Sequence, residues 1–265
     1  MKIGVTGCSG TIGKEIKKKL KKKIICFNGD LLNKKQIDFW IKKNNFAYII
    51  HLAAIVPIQK INQNKQLAYN VNFKGTCNLV NSIKKNYKKK IWFFYSSTSH
   101  VYGFNSKFQN EKSSTKPITY YGKTKLLGEK YILKNKKYLN VCIGRIFSFT
   151  SKNQKKYYLI PNLIKKLKSK KKELNFDNLN HIRDFINLKD VVNAIHILLK
   201  KRSSGVYNIC SNKKIDLSDI LLTLNKKYKK NLKISNLYKK TILVGSNKKL
   251  MKIGWSPTPF NLKNI

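Results

Sequence analysis

Two residues of the segment PITYYGKTKLLGEK (117–130) could perform acid–base chemistry together: Tyr121 and Lys125. On an α-helix, a spacing of four residues brings both side chains to one face, where an ammonium group can stabilise a phenolate. A phenol with a pKa of about 10 is a poor base at neutral pH without such a cation. The neighbouring Tyr120 lacks this partner, because Thr124 stands four residues after it.

Lysine is so abundant that this pair has to be compared with chance. Of the 57 basic residues 54 are lysine, since only Arg145, Arg183 and Arg202 are arginine. Random placement of these lysines relative to the 14 tyrosines would give roughly three Tyr-x-x-x-Lys pairs. The sequence contains one, at Tyr121. This pair lies on the predicted helix that follows the strand ending in SST, and we therefore interpret Tyr121 and Lys125 as a catalytic pair.

A glycine-rich segment could hold the phosphates of a dinucleotide. In VTGCSGTIG, Gly7, Gly10 and Gly13 follow an apolar strand and open a helix. Glycine permits a tight turn close to a pyrophosphate, and the helix N-terminus supplies N–H groups and partial positive charge. Asn28 follows the second strand, where an acid for the adenosine ribose would stand. We assign Asp30, 20 residues after Gly10, to the ribose or the adenine, which leaves NAD and NADP as alternatives.

Strands and helices alternate over the first 146 residues, so that the motifs lie where strands end and helices begin. Apolar runs predict strands at 2–6, 24–27, 48–54, 91–97 and 140–146. Helical periodicity predicts the helices between them, within IGKEIKKKLKKKI (12–24) and at 34–45, 67–87 and 119–136. Continuous apolar strands that alternate with helices indicate an α/β fold with a doubly wound parallel sheet.

The alternation weakens after residue 146. We predict helices at 160–169, 188–201 and 217–228, a strand at VYNI (206–209) and a loop around NFDNLNHIRDF (175–185). Short interleaved elements of this kind predict a small C-terminal substrate cap. The expected domains are a dinucleotide-binding domain, 1–148 with 186–210 returning to it, and a cap formed by 149–185 and 211–265.

The net charge of +46 would ordinarily suggest a nucleic-acid or membrane-surface partner. The lysines are spread along the whole chain, however, and nucleic-acid readers rely on arginine, so the charge does not predict nucleic-acid binding. No apolar run is long enough to span a membrane. Five separated cysteines without C-x-x-C spacing predict reduced thiols in a cytoplasmic protein, and the histidines lack the spacing of metal ligands.

Several motifs, taken together and in order, resemble those of one enzyme family. They are VTGCSGTIG (5–13), HLAA (51–54), NFKGTCNLV (72–80), YSSTSHVYG (95–103), YGKTK (121–125), IRDFINLKDVVNA (182–194), GVYNI (205–209) and LMKIGWSP (250–257). With them the chain resembles the extended short-chain dehydrogenase/reductases, specifically the NAD-dependent epimerase/dehydratase group that acts on nucleotide sugars. The resemblance covers nearly the whole chain and implies a Rossmann-like sheet with NAD or NADP as cofactor.

The resemblance also implies roles for individual residues. Tyr121 would exchange a proton with the sugar, while Lys125 would bind the nicotinamide ribose and lower the pKa of Tyr121. Thr98 would hydrogen-bond the reacting oxygen, although a strand end rich in turn-forming hydroxyls gives the same pattern. Cofactor contacts are implied for the glycine cradle and the strand ends: Gly7, Gly10, Thr11, Ile12, Gly13, Asp30, Leu31, Leu52, Ala53, Ala54 and Asn72.

Three positions depart from the family pattern. Ser99 and His100 stand where the 4,6-dehydratases of this family carry an Asp-Glu pair, which argues against a dehydratase. His100 is expected in the substrate site, either as a second proton-transfer group or as a histidine without a chemical task. Ser148 replaces an asparagine that contacts the substrate in many relatives, and it is assigned to the same site.

Arg183, in RDF, resembles the family's arginine that binds the substrate pyrophosphate, a role suited to a fork of donors. The alternative is an ion pair with Asp184 or Asp190. The function expected from the resemblance is hydride transfer at C4 of a nucleotide-activated hexose by a homodimeric 4-epimerase or 4-ketoreductase, which the motifs do not separate. The alternative class is a non-catalytic dinucleotide- or RNA-binding protein on the same scaffold.

Overall fold

The computed structural model describes residues 2–56, 58–151, 154–155 and 158–262. Its strands are β1 (Ile3–Thr6), β2 (Ile24–Phe27), β3 (Tyr48–His51), β4 (Ile91–Thr98), β5 (Leu139–Ile146), β6 (Ser148–Thr150), β7 (Glu173–Asp177), β8 (Ile182–Arg183), β9 (Phe185–Asn187), β10 (Gly205–Ile209), β11 (Ile215–Asp216), β12 (Asn231–Ser235) and β13 (Ile242–Leu243). Its helices are α1 (Thr11–Leu20), α2 (Lys34–Asn44), α3 (Ile58–Gln63), α4 (Lys65–Tyr69), α5 (Gly75–Asn86), α6 (Tyr120–Lys134), α7 (Leu159–Leu167), α8 (Leu188–Lys200), α9 (Leu217–Tyr228) and α10 (Lys248–Met251).

Six parallel strands form the central sheet, in the order β10-β5-β4-β3-β1-β2. The order reverses at β1, because β2 pairs with one of its edges and β3 with the other. Ligands of such sheets bind outside the carboxyl ends of the strands at this point of reversal. The predicted doubly wound α/β fold is confirmed.

Helices cover both faces of the sheet, and β4 shows why its sequence is a continuous apolar run. Phe94 packs into the cluster on the side of α1 and α8, whereas Phe93 and Tyr95 pack on the side of α2, α5 and α6. Successive side chains of a strand point to opposite faces, so a strand buried on both sides has no polar alternation. The predicted strands and helices of this half are confirmed, apart from the helix predicted at 67–87.

That helix extends over α4 and α5, and a π-helical turn at Asn70–Lys74 joins them. The π turn contains Asn72, which is fully buried. Its side-chain amide accepts a hydrogen bond from the Ile55 N–H at 2.7 Å and donates one to the Ile55 carbonyl at 3.0 Å. The irregular turn thus fixes the backbone that leaves β3.

A third apolar cluster, which includes Leu163, Phe176 and Leu221, lies among α7, β7 and α9. Around it are a parallel pair, β7 with β12, and a three-stranded sheet in the order β11-β8-β13. The loop predicted at 175–185 is wrong, because it contains the end of β7 and the whole of β8. The predicted domain boundaries stay predictions, and the cap ranges include residues 152–153, 156–157 and 263–265, which lie outside the described part.

Cys8 and Cys26 form a disulfide, with their Cα atoms 6.1 Å apart. The prediction of reduced thiols is therefore wrong for these two, while Cys77, Cys142 and Cys210 are free. Parallel pairing places Cys26 opposite Val5, and the turn after β1 brings Cys8 back towards that position, a proximity that the sequence spacing conceals. Among the described helices, none has the length and apolarity needed to cross a bilayer.

Candidate active site

A cavity of about 1810 Å³ opens at the carboxyl edge of the sheet. Glycines of the cradle lie on one side of it, the end of β4 and the start of α6 form its wall, and residues of the third apolar cluster lie on the other side. The predicted site residues that line it are Gly7, Gly10, Thr11, Ile12, Gly13, Leu52, Ala54, Thr98, His100, Tyr121, Ser148 and Arg183.

The cradle is shaped so that side chains at two of its glycines would not fit. Gly7 has φ of +77°, in the left-handed region, and a Cβ there would lie 2.6 Å from the backbone nitrogen of Ala53. A Cβ on Gly13 would overlap the Gly7 carbonyl oxygen. Gly10 caps α1 and donates its N–H to the Gly7 carbonyl at 3.1 Å. A tight turn at a helix N-terminus fits the pyrophosphate of a dinucleotide.

Five residues assigned to the cofactor are not among the residues that line this cavity: Asp30, Leu31, Ala53, Asn72 and Lys125. The Ala53 N–H donates to the Thr6 hydroxyl at 3.3 Å. Asp30 is exposed and its carboxylate accepts the Leu32 N–H at 2.9 Å within its own loop. Leu31 is buried against Gly75. Asn72 is fully buried and bonded to Ile55.

Tyr121 reaches the cavity from the first turn of α6. Thr119 caps this helix, since its hydroxyl accepts the Gly122 N–H at 3.0 Å. Burial is the main influence on Tyr121 and raises its pKa, and the hydrogen bond with Thr98 counteracts this in part. Desolvation of the phenolate is thus the larger influence on Tyr121 in the chain by itself, and the lowering of the Tyr121 pKa by Lys125 stays a prediction.

Lys125 follows Tyr121 by one turn and is 1% exposed. Its Nζ lies 4.0 Å from the centroid of the Tyr95 ring, a cation–π contact with β4. Burial lowers the pKa of Lys125 to about 7, and the charge of Glu129 opposes this shift. A buried ammonium that loses its proton near neutral pH is a feature of functional sites.

His100 lies beside Tyr121, with ring centroids 6.0 Å apart, and its Nδ1 lies 3.3 Å from the Thr119 hydroxyl. Burial, followed by the charge of Arg183, lowers the pKa of His100 to about 4. The imidazole is thus neutral at physiological pH and can both donate and accept a hydrogen bond. Ser148 also lines the cavity, at the start of β6.

Arg183 lines the cavity with its guanidinium 5.0 Å from the Phe104 ring centroid. Its Nη1 donates to the Thr241 carbonyl at 2.9 Å. The two acids considered as partners have other contacts. Asp184 accepts hydrogen bonds from Ser211, Asn212 and Gly245, and Asp190 from Asn187 and Thr258. The arginine is therefore oriented by carbonyl and hydroxyl oxygens beside the cavity.

Sequence reasoning missed a buried ion pair behind these residues, Glu129 with Arg145, whose closest atoms are 2.7 Å apart. Two signals were present. Glu129 follows Lys125 by four residues and shares its helical face, and Arg145 is a charged residue inside the apolar strand NVCIGRI, where an ion needs a partner. Within the described residues no cluster of side chains could hold a metal ion.

The fold and the cradle define a dinucleotide-binding enzyme of the Rossmann type, and comparisons with known proteins are consistent with this class. Residues 3–210 match the pattern of the "NAD dependent epimerase/dehydratase family". The chain belongs to this family, which confirms the predicted resemblance and the prediction of an enzyme.

Individual relatives are similar over most of this chain. A GDP-6-deoxy-D-talose 4-dehydrogenase of Aggregatibacter actinomycetemcomitans is 30% identical over 80% of this chain and 74% of the relative. A dTDP-D-glucose 4,6-dehydratase of Dictyostelium discoideum is 29% identical over 73% of this chain. The match spans about half of that relative, 48% of its length.

Solved structures have the same fold. The UDP-glucose 4-epimerase of Thermus thermophilus, in complex with NAD, has a TM-score of 0.86 at 19% identity and covers 100% of this chain and 96% of its own. RMD of Pseudomonas aeruginosa, in complex with NADPH, has a TM-score of 0.86 at 23% identity, over 98% of this chain and 94% of its own.

Proposed function

We propose that the protein catalyses hydride transfer at C4 of a nucleotide-activated hexose, as a 4-epimerase or a 4-ketoreductase that uses NAD or NADP. The observation that supports this most directly is the placement of Tyr121 and Thr98 together in the cavity wall, one helical turn from the buried Lys125. The names of two relatives also point to C4, since one is a 4-dehydrogenase and the other a 4-epimerase.

In this proposal the glycine cradle holds the dinucleotide pyrophosphate, and the bound nicotinamide supplies the hydride chemistry. Tyr121 exchanges the proton of the reacting oxygen, which Thr98 orients by a hydrogen bond. Lys125, when protonated, stabilises the phenolate form of Tyr121. His100 and Arg183 face the substrate, and the guanidinium suits its pyrophosphate.

We also propose the domain roles and the assembly expected from the sequence. Residues 1–148 with 186–210 bind the dinucleotide, and 149–185 with 211–265 receive the sugar nucleotide. The protein acts as a homodimer. Sedimentation of the purified protein tests the assembly, and a monomer at micromolar concentration would contradict it.

Turnover of a panel of nucleotide sugars, with NAD and with NADP, tests the function. Tyr121→Phe should lower kcat/KM by about 10²- to 10⁴-fold, because it removes the proton donor and acceptor. Tyr120→Phe is a matched control, since this tyrosine has Thr124 and not a lysine four residues on. Equal turnover in both variants would contradict the proposal.

The absorbance of reduced nicotinamide separates the two activities. A ketoreductase consumes reduced cofactor in proportion to product, whereas an epimerase forms product without net change. A non-catalytic binding protein would show no turnover at all, and its binding would weaken steeply with salt.

A further inference from the structure

Two residues of the buried face of α6 are attached to two residues of one face of β4. The Tyr95 hydroxyl donates to the Lys125 carbonyl at 3.4 Å, and its ring lies under the Lys125 ammonium. The Ser97 hydroxyl donates to the Glu129 carboxylate. Because Tyr95 and Ser97 are two residues apart on a strand, they face the same side and fix the helix along it.

Glu129 is in turn held by the next strand. Arg145 on β5 stands opposite Ser97 in register, and its guanidinium binds the carboxylate through Nη2 at 2.7 Å and Nε at 3.1 Å. Its Nη1 donates to the Tyr102 hydroxyl at 2.9 Å. Glu129 is 1% exposed and Arg145 6%. The carboxylate therefore has a fixed place, charge and orientation, beside the catalytic helix face.

The titratable groups around Lys125 come from several elements. They are His51 on β3, Cys77 on α5, Tyr95 on β4, Tyr121 and Glu129 on α6 and, through Glu129, Arg145 on β5. Burial and the charge of Lys125 lower the pKa of His51 to about 3, so it is neutral. Burial raises the pKa of Cys77 to about 11 and that of Tyr95 well above its usual range. Among these groups, the Glu129 carboxylate is the one whose charge opposes the lowering of the Lys125 pKa.

We propose that Glu129, held by Arg145 and Ser97, is a positioning residue that keeps the Lys125 ammonium charged and seated on the Tyr95 ring. Burial alone would favour the neutral amine, which could not stabilise a phenolate at Tyr121. Glu129 does not line the cavity itself; it contacts the lining residue Ser97 and acts on the site through Lys125. The effect of Glu129 on activity rests on the proposed function. Its effect on the charge of Lys125 does not depend on that function.

The pH dependence of kcat/KM in Glu129→Gln tests the proposal. Without the carboxylate the pKa of Lys125 decreases further, so the alkaline fall in activity should move to lower pH by about one unit. Activity should recover as the pH decreases. Glu129→Asp retains the charge and should keep the wild-type profile. Glu111→Gln is the control, since Glu111 accepts the Asn208 N–H at 2.9 Å in the same polar network but does not face Lys125.

A second measurement does not need turnover. Lys125 has a lowered pKa in the folded protein, so its contribution to stability rises with pH above about 7 and is absent in Lys125→Met. Urea unfolding between pH 5.5 and 9 gives this rise as the difference from Lys125→Met. When the same difference is measured in proteins that carry Glu129→Gln, the rise in stability should begin about one pH unit lower.

The outcomes separate the two proposals. If the wild type turns over no nucleotide sugar, the proposed function fails, and the unfolding series still tests Glu129. If Glu129→Gln lowers activity equally at every pH and leaves the unfolding series unchanged, Glu129 has only a structural role and the inference is wrong.

Discussion

The layer between α6 and the central sheet and the third apolar cluster place their charged residues in opposite surroundings. Between α6 and the sheet, Lys125, Glu129 and Arg145 are each at most 6% exposed, and every one has a specific partner. Beside the third cluster, Lys233 on β12 pairs with Glu173 on β7 at 3.3 Å, with side chains 74% and 60% exposed. Both regions contain ion pairs, but only the first has removed them from water.

This difference shows which of the many cations matter. A charge in water loses little when its partner is removed, because solvent and ions screen it. A buried charge left without its partner retains the full cost of desolvation. In a chain with a net charge of +46, burial is therefore a better guide to function than charge itself.

The largest effect on stability is expected from Arg145→Ala, which leaves the Glu129 carboxylate buried and unpaired. The free energy of unfolding should decrease by about 3–5 kcal/mol in urea titrations. Replacing both partners by methionine should recover much of this loss, since neither charge then remains. If Arg145→Ala lowered the free energy of unfolding by less than about 1 kcal/mol, the Glu129–Arg145 pair would contribute no more than an exposed ion pair, and the prediction would be wrong.

Acid should destabilise the protein through the buried His51 on β3. Its Nδ1 lies 2.6 Å from the Thr6 hydroxyl and its Nε2 2.9 Å from that of Thr76. Because burial lowers its pKa from 6.5 to about 3, the unfolded chain binds the proton first, and stability is lost as the pH falls below 6.5. Between pH 6.5 and 4 this amounts to about 3 kcal/mol.

Unfolding curves of His51→Asn should lack this part of the pH dependence, while His196→Gln, a change on the surface of α8, should retain it. If the free energy of unfolding changed with pH in the same way in the wild type and in His51→Asn, His51 would be protonated in the folded state at acid pH, and the prediction would be wrong.

Reduction of the Cys8–Cys26 disulfide should loosen the outer edge of the cradle. The bond links residues 18 apart, and closing a loop of this length stabilises a protein by about 3 kcal/mol. Thermal unfolding with and without dithiothreitol measures the effect, which should be absent in Cys26→Ser and unchanged in Cys77→Ser. Equal melting of the oxidised and reduced wild type would mean that β2 holds the cradle without the bond.

Much of the fold could be predicted because its signals are local. The inner strands β1, β3, β4 and β5 are apolar runs that are mostly buried, and each covering helix has its own periodicity, so the local sequence pattern predicts both kinds of element. Tyr121, Lys125 and the cradle glycines could be proposed as site residues for the same reason, since helical spacing and turn chemistry act over a few residues.

The rest depended on partners far along the chain. β8 consists of two residues and is ordered by β13, with Ile182 beside Ile242. The β7 sequence alternates buried and exposed residues, yet it forms a strand only against β12. Glu129 and Arg145, like Cys8 and Cys26, become neighbours through strand order, which one-dimensional spacing does not report.

The smallest effect on stability is expected from Lys233→Ala, which breaks an exposed ion pair where Arg145→Ala breaks a buried one. Its partner Glu173 is 60% exposed and returns to water when the lysine is removed, so the free energy of unfolding should change by about 0–1 kcal/mol. Urea titrations at low and high salt measure this, and any difference from the wild type should vanish when salt screens the pair. A salt-independent loss as large as that of Arg145→Ala would mean that the two regions do not differ in how they depend on charge.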